Sequence, residues 1–271
     1  MKSRLCTILC GLILACTHSA QAEQTLLITD LLDAGEVKLQ TAVEFTTLRP
    51  TVVDSGAYTK FENAQITSVG VGIGSGMQVD LSFTEVMNSQ NLEPSGVMGH
   101  RGRTALGAGL SYKLPATDVP RLELLTGVGV VFESDGQLHD NGGDSTDVTP
   151  FLAASTTLLH GYRPYASYRV HLRAQRWTGT SHEFMVGMDQ RLSSRVTVGC
   201  KGTLLYEPQT SQTTEAEDGS VEIHTRFTLA KNIFVVPSVA ALQQSRRTVG
   251  EYKQQSVSGV KSAISLYYYF N

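Results

Sequence analysis

The chain has 271 residues, with 25 acidic against 22 basic side chains, 17% charged residues and 41% hydrophobic ones. That balance excludes a basic nucleic-acid binder, and the evenly spread apolar content excludes a disordered tail or a collagen-like repeat. Nucleic acid is therefore not among the expected partners.

Residues 1–22 read as a cleaved signal peptide. Lys2 and Arg4 form a charged start, Leu5 to Ala15 an apolar run, and Ala20-Gln21-Ala22 a small-residue cleavage site. The mature protein is expected to begin at Glu23. Cys6, Cys10 and Cys16 leave with the signal, so Cys200 remains alone and no intramolecular disulfide forms. A lipidated Cys16 is the poorer reading, because Leu14 is bulky for a lipobox and the A-x-A site follows. Residues 23–34 carry Leu26, Leu27, Ile28, Leu31 and Leu32 with Asp30 and Asp33. They suit about two helical turns, serving either as a short plug helix or as a frayed leader.

Beyond the signal no apolar run is long enough for a membrane-spanning helix. Apolar and polar residues instead alternate strictly, and a period of 2 means strand. The first strand sets Val37, Leu39, Thr41, Val43 and Phe45 against Lys38, Gln40, Ala42, Glu44 and Thr46. The second carries Thr67, Val69, Val71 and Ile73, and the third Met77, Val79, Leu81 and Phe83 opposite Gln78, Asp80, Ser82 and Thr84. Leu106, Ala108, Leu110 and Tyr112 mark the fourth; Leu122, Leu124, Thr126, Val128, Val130 and Phe132 mark the fifth, opposite Glu123. A sixth over about 149–158 alternates poorly.

The seventh strand places Tyr168, Val170 and Leu172 opposite Arg169, His171 and Arg173, and the eighth Phe184, Val186 and Met188 opposite Glu183 and Asp189. Val196, Val198, Cys200, Leu204 and Tyr206 define the ninth, and Val221, Ile223, Thr225, Phe227 and Leu229, opposite Glu222, His224 and Arg226, the tenth. The eleventh, near 233–242, contains Pro237, which lacks a donor, so a bulge or local break is expected there. The twelfth has Ile264, Leu266, Tyr268 and Phe270 on one face and Lys261, Ser265, Tyr267 and Tyr269 on the other.

Short connections, such as 74–76 and 231–232, interleave with longer ones near 47–64, 86–103, 133–148, 174–181, 207–220 and 243–257. Charged residues are nearly absent from the apolar face and share the opposite parity. A soluble barrel points its charges outward, whereas lipid outside and a polar lumen inside force the observed segregation. The fold class is therefore all-β: a 12-stranded antiparallel transmembrane β-barrel over residues 35–271, with short periplasmic turns and long extracellular loops. Its location is the bacterial outer membrane. Strand-end aromatics such as Phe45, Phe132 and Phe270 suit interfacial girdles.

These residues resemble a family of outer-membrane proteins named after the MetA pathway of phenol degradation and described as transporters. The resemblance rests on Leu31-Leu32-Asp33-Ala34-Gly35-Glu36 opening the first strand, on Val69 to Leu81, on Thr104 to Leu114 with Gly107, Gly109 and Ser111, and on Pro120 to Gly136. It also resembles the membrane domain of pores that export functional-amyloid subunits, although residues 23–34 are too short for the coiled coil that precedes those barrels. The resemblance implies a barrel that moves a solute or a polypeptide across the outer membrane.

Function is read from the lumen. The candidate lumen and constriction residues are Lys38, Glu44, Asp80, Arg169, His171, Arg173, Glu183 and Arg226. Both signs occur, which suits a neutral or zwitterionic solute better than a phosphate-selective pore. Arg169, His171 and Arg173 form a basic ladder beside Glu183 and Asp189, with two readings open: a constriction with a transverse field, or an interior salt-bridge network filling a narrow barrel. The inward set shows no greasy path.

Chemistry other than transport has thin support. Ser181-His182 and His171 with Glu183 are the nearest approaches to a hydrolytic pair, and no Ser lies in G-x-S-x-G. Asp140 to Asp147 lacks EF-hand spacing, and Gly70-Val71-Gly72-Ile73-Gly74 lies in a strand with no helix after it, which removes a phosphate-loop reading. No catalytic residue, metal or cofactor is expected. The expected function is a passive channel for small polar or amphipathic solutes. Its alternatives are an export pore for an unfolded polypeptide such as an amyloid subunit, and an outer-membrane lipid hydrolase or closed structural barrel. Expected partners are lipid and lipopolysaccharide, the barrel-assembly machinery, the solute or exported polypeptide, and further copies of the chain.

Overall fold

Alternating sequence becomes a closed wall in a computed structural model, which describes residues 31–50, 58–92, 97–115, 121–135, 145–158, 161–174, 179–209, 215–245, 247–249, 252–254 and 256–270. The signal peptide, residues 23–30, the acidic stretch from Asp140 to Asp144, His139 and His160 lie outside the described residues, as does the side chain of His100.

The strands are β1 (Val37–Pro50), β2 (Tyr58–Gly74), β3 (Met77–Leu92), β4 (Val97–Lys113), β5 (Leu122–Asp135), β6 (Ser145–Thr156), β7 (Tyr162–Ala174), β8 (Gly179–Arg191), β9 (Val196–Glu207), β10 (Ala216–Ala230), β11 (Ile233–Gln244), β12 (Arg247–Val249), β13 (Tyr252–Gln254) and β14 (Val257–Phe270). Twelve of them close a barrel in the order β1-β14-β11-β10-β9-β8-β7-β6-β5-β4-β3-β2, and β12 with β13 forms a separate hairpin. Closure runs from Val37↔Phe270 to Pro50↔Val257 in one unbroken antiparallel register. It leaves no sheet edge, the condition for a β-structure in lipid. The end where β1 begins and β14 finishes is the near end; the opposite one is the far end.

Several strands reach further toward the far end than the alternation predicts. β3 and β4 pair as far as Leu92↔Val97, so residues 93–96 separate two strands where the sequence predicts a connection over 86–103. Asn88 to Asn91 carry no apolar alternation, but ladder bonds are made by the backbone, and a strand standing above the lipid needs no oily face. The difference in connection length between the two ends is accordingly smaller than expected. At the near end β2 turns into β3 through Gly74, Ser75 and Gly76, all with positive φ, and the register shifts between Gly72 and Gly74. Pro237 produces the local break and not a bulge: the β10–β11 ladder lacks pairs at Pro237 and Val236 and resumes at Phe227↔Val235 in the register of His224↔Ser238, while β14 pairs continuously along the other side.

Outside and inside are reversed relative to a soluble barrel. Leu81, Leu106, Val186, Val221 and Ile264 are exposed on the outer face, Val186 at 62%, while Asp189 and Arg226 are 6% and 5% exposed on the inner one. Inward bulk is fitted against inward glycine. A Cβ at Gly187 would lie 2.4 Å from the ring of its cross-strand partner Tyr165, and one at Gly199 would lie 2.1 Å from Asp189 and 2.4 Å from His224.

Candidate functional site: the lumen

Each charged lumen residue is set on a strand whose parity turns it away from the apolar outer face, and most meet an opposite charge on a neighbouring strand. Lys38 on β1 reaches Asp80 on β3 at 3.7 Å, and Glu44 on β1 meets Lys261 on β14 at 3.5 Å. On the opposite wall Arg169 lies 3.6 Å from Glu183, and His171 sits between two carboxylates, 2.9 Å from Asp147 through Nδ1 and 3.5 Å from Glu183 through Nε2. Further round, Lys201 meets Glu222 at 3.1 Å and His224 meets Asp189 at 3.0 Å. Arg173 stands at the far end, 3.2 Å from Glu207. Arg226 donates to Thr197 at 3.1 Å and lies 5.3 Å from the centroid of the Phe234 ring. Near the turns Glu123 takes both Arg163 and Lys113.

The structure thus brings Arg169, His171 and Glu183 together, sets Lys38 with Asp80 and Glu44 with Lys261 on other walls, and leaves Arg173 and Arg226 in separate groups. The basic ladder on β7 is neutralised along the wall rather than opposed across the lumen. Residues directly opposite on paired strands have Cβ atoms about 4.5–5.5 Å apart, far less than the span to the facing wall, so the nearest carboxylate wins. Arg169↔Glu183 is such a cross-strand pair.

Sequence reasoning missed Asp147 and Glu207, because it read their positions as loop, and it missed the apolar side of the lumen. Leu125, Phe151 and Phe234 face inward beside Tyr269, which the alternation already sets on that face, against an expectation of no greasy path. Their signal was parity: Leu125 is in phase with Glu123, and Tyr269 with Lys261. Ser181 and His182 do not pair as a hydrolytic couple. Ser181 is buried on the inner face, while His182 faces outward and its Nδ1 lies 2.7 Å from the hydroxyl of Tyr168, as period 2 requires of adjacent residues.

Among the described residues, two interior cavities bear on the site. One of about 580 Å³ is lined by Lys38, Asp80, Asp147, His171 and the apolar Leu32, Leu125 and Phe151. The other, about 540 Å³, is lined by Glu44, Glu183, Asp189, Lys201, Glu222 and Lys261. Gln40, Arg169 and Tyr267 line both, and so form the waist where the two meet. β7 lies six strands from β1 in either direction round the barrel, so Arg169 stands diametrically across from Gln40.

The near mouth is crossed by the segment before β1. Residues 31–33 are irregular and 34–35 form a turn, so the described part of the expected leader is not helical. Gly35 N donates to Gly72 O at 2.8 Å, Gly72 N to Glu36 O at 2.9 Å, and Leu32 N to Gln78 Oε1 at 3.0 Å. Leu32, 6% exposed, packs against Phe234 and Tyr269.

The chain matches no family model and no curated protein. Solved structures do match. An outer membrane channel from Pseudomonas putida F1 superposes with a TM-score of 0.63 at 8% identity, covering 92% of this chain and 100% of that one. The transport unit of the autotransporter AIDA-I from Escherichia coli gives 0.55 at 9% identity, with 90% and 93% covered. The TodX monoaromatic hydrocarbon channel, as a deltaS2 mutant, gives 0.54 at 10% identity, with 90% and 92% covered. At such identities the likeness is one of fold, and the fold is that of outer-membrane β-barrels.

Proposed function

We propose that the protein is an outer-membrane channel through which small polar or amphipathic solutes diffuse along a mixed-charge lumen. The observation carrying this reading is the pair of lumen cavities meeting at Gln40, Arg169 and Tyr267, inside a wall whose outer face is apolar. In this reading the near end faces the periplasm, the barrel-assembly machinery inserts the chain, and lipid and lipopolysaccharide surround it. Other copies of the chain are further candidate neighbours. A solute passes paired charges on every wall, which suits molecules of low net charge. The channels among the structural matches lend this reading support, and the family resemblance points the same way.

The test is single-channel conductance of the signal-free protein in a planar bilayer, beside a version lacking residues 23–34. Steady openings in the intact protein are expected. The segment across the near mouth favours a second reading, an export pore for an unfolded polypeptide, and openings only after truncation would establish a plug of that kind. Silence from both, in protein shown folded by heat-modifiable migration, would overturn the channel.

The membrane placement has its own test. Val186→Arg puts a guanidinium on the exposed face near the middle of β8, where lipid opposes it by about 2–4 kcal/mol. Denaturant unfolding from liposomes is expected to show that loss, whereas Val186→Leu leaves the midpoint nearly unchanged. Equal stability of the Arg variant would place this face in water.

A further inference from the structure

Arg169, the cation at the waist, is only partly satisfied. Its ion contact with Glu183, at 3.6 Å, is longer than a hydrogen bond, and its buried Nε finds no partner among the described residues. The guanidinium also lies 5.8 Å from the centroid of the Phe151 ring. On the facing wall Ser68 donates to Gln40 Oε1 at 3.3 Å, which leaves the amide nitrogen as the donating end of Gln40. Tyr267, the cross-strand partner of Gln40, adds a hydroxyl. Donors therefore line the waist on both walls, a half-engaged guanidinium on one and Gln40 with Tyr267 on the other.

We infer that the waist is a specificity site for small amphipathic monocarboxylates. This deepens, and rests on, the channel reading. One carboxylate takes the planar guanidinium fork of Arg169, which matches its two oxygens, while Gln40 and Tyr267 offer donors to the solute from the facing wall. The apolar remainder lies in the 580 Å³ cavity against Leu32, Leu125 and Phe151. A second carboxylate finds no open cation, because Lys38 is met by Asp80 in that cavity, and Lys201 and Lys261 by Glu222 and Glu44 in the other. An unmatched second charge in a confined, partly desolvated space opposes dianions and inorganic phosphate alike.

The experiment uses butyrate, with butyramide as its neutral isostere and succinate as the dianion. Each is added to the signal-free protein carrying KCl current in a planar bilayer. Equilibrium dialysis of radiolabelled butyrate against the detergent-solubilised protein runs in parallel. Butyrate is expected to bind and to block, with butyramide and succinate about tenfold weaker or worse, and Arg169→Gln to weaken butyrate about tenfold, the size of one charge-assisted hydrogen bond. Lys113→Gln, which removes a cation at the near turns, keeps the butyrate response. Where Arg169→Gln fails to fold, Gln40→Leu removes the donor on the facing wall and is expected to weaken butyrate too. Succinate as effective as butyrate, or butyrate binding untouched in the folded waist variant, overturns the inference. Current that ignores butyrate, with no binding in dialysis, overturns it and leaves the channel standing. Binding through Arg169 in a protein that passes no current sinks the channel reading and leaves the carboxylate site.

Discussion

Gly72→Val is expected to release the segment across the near mouth and to raise conductance to that of the version lacking residues 23–34. A Cβ at Gly72 would stand 2.0 Å from Asp33 O and 2.7 Å from Leu32 O, both backbone atoms, so a flexible side chain cannot relieve the overlap. Either β2 distorts or the segment leaves. The second is cheaper: β2 is held by β1 from Lys60 to Val71 and by β3 from Tyr58 to Gly74, whereas the segment is held by a few hydrogen bonds and by Leu32. Burial of a leucine contributes about 1.5–3 kcal/mol, so hydrogen-exchange protection at Leu32 and Gly35 should fall by about ten- to a hundredfold while the barrel amides keep theirs. Leu32→Asn, which leaves β2 untouched, should loosen the same segment through Phe234 and Tyr269. Unchanged protection at these amides in both variants would show that the segment does not depend on that contact.

The barrel was legible because a wall with lipid on one side and water on the other writes itself as period 2, and ten of the twelve barrel strands do so. Where it was not legible, the assumption of a polar interior failed. β6 alternates poorly because both its faces are apolar: Leu152 is exposed outward, while Phe151 and Ala153 turn inward, Phe151 lying across Gly127. Parity found the inward charges but not their partners. Whether Asp147 reaches His171 depends on β6 beginning at Ser145, inside an acidic, Gly-rich stretch that reads as loop. Nor does parity reveal the waist, because Arg169 and Gln40 are brought face to face by strand number and closure, and neither is visible within any one strand.

The waist also makes a prediction about ion selectivity in which two substitutions have opposite signs. Glu183 is shared by Arg169 at 3.6 Å and His171 at 3.5 Å. Glu183→Gln keeps the shape and removes the charge, so the waist gains one net positive charge and the reversal potential under a KCl gradient should move toward chloride. Arg169→Gln removes the cation and should move it toward potassium. Since both residues line the 540 Å³ cavity, a local effect of the waist predicts shifts of similar size and opposite direction, and the double variant should return near the starting value. Stability should separate the two as well. Orphaning a fully buried charge costs about 3–5 kcal/mol, but the Arg169 side chain is 36% exposed to the lumen, so water and salt screen it and a loss of about 1–2 kcal/mol is expected for Glu183→Gln. Arg169→Gln should cost less, because Glu183 retains His171. If both variants moved the potential in the same direction, or neither moved it, ions would not be passing between Arg169 and the facing wall.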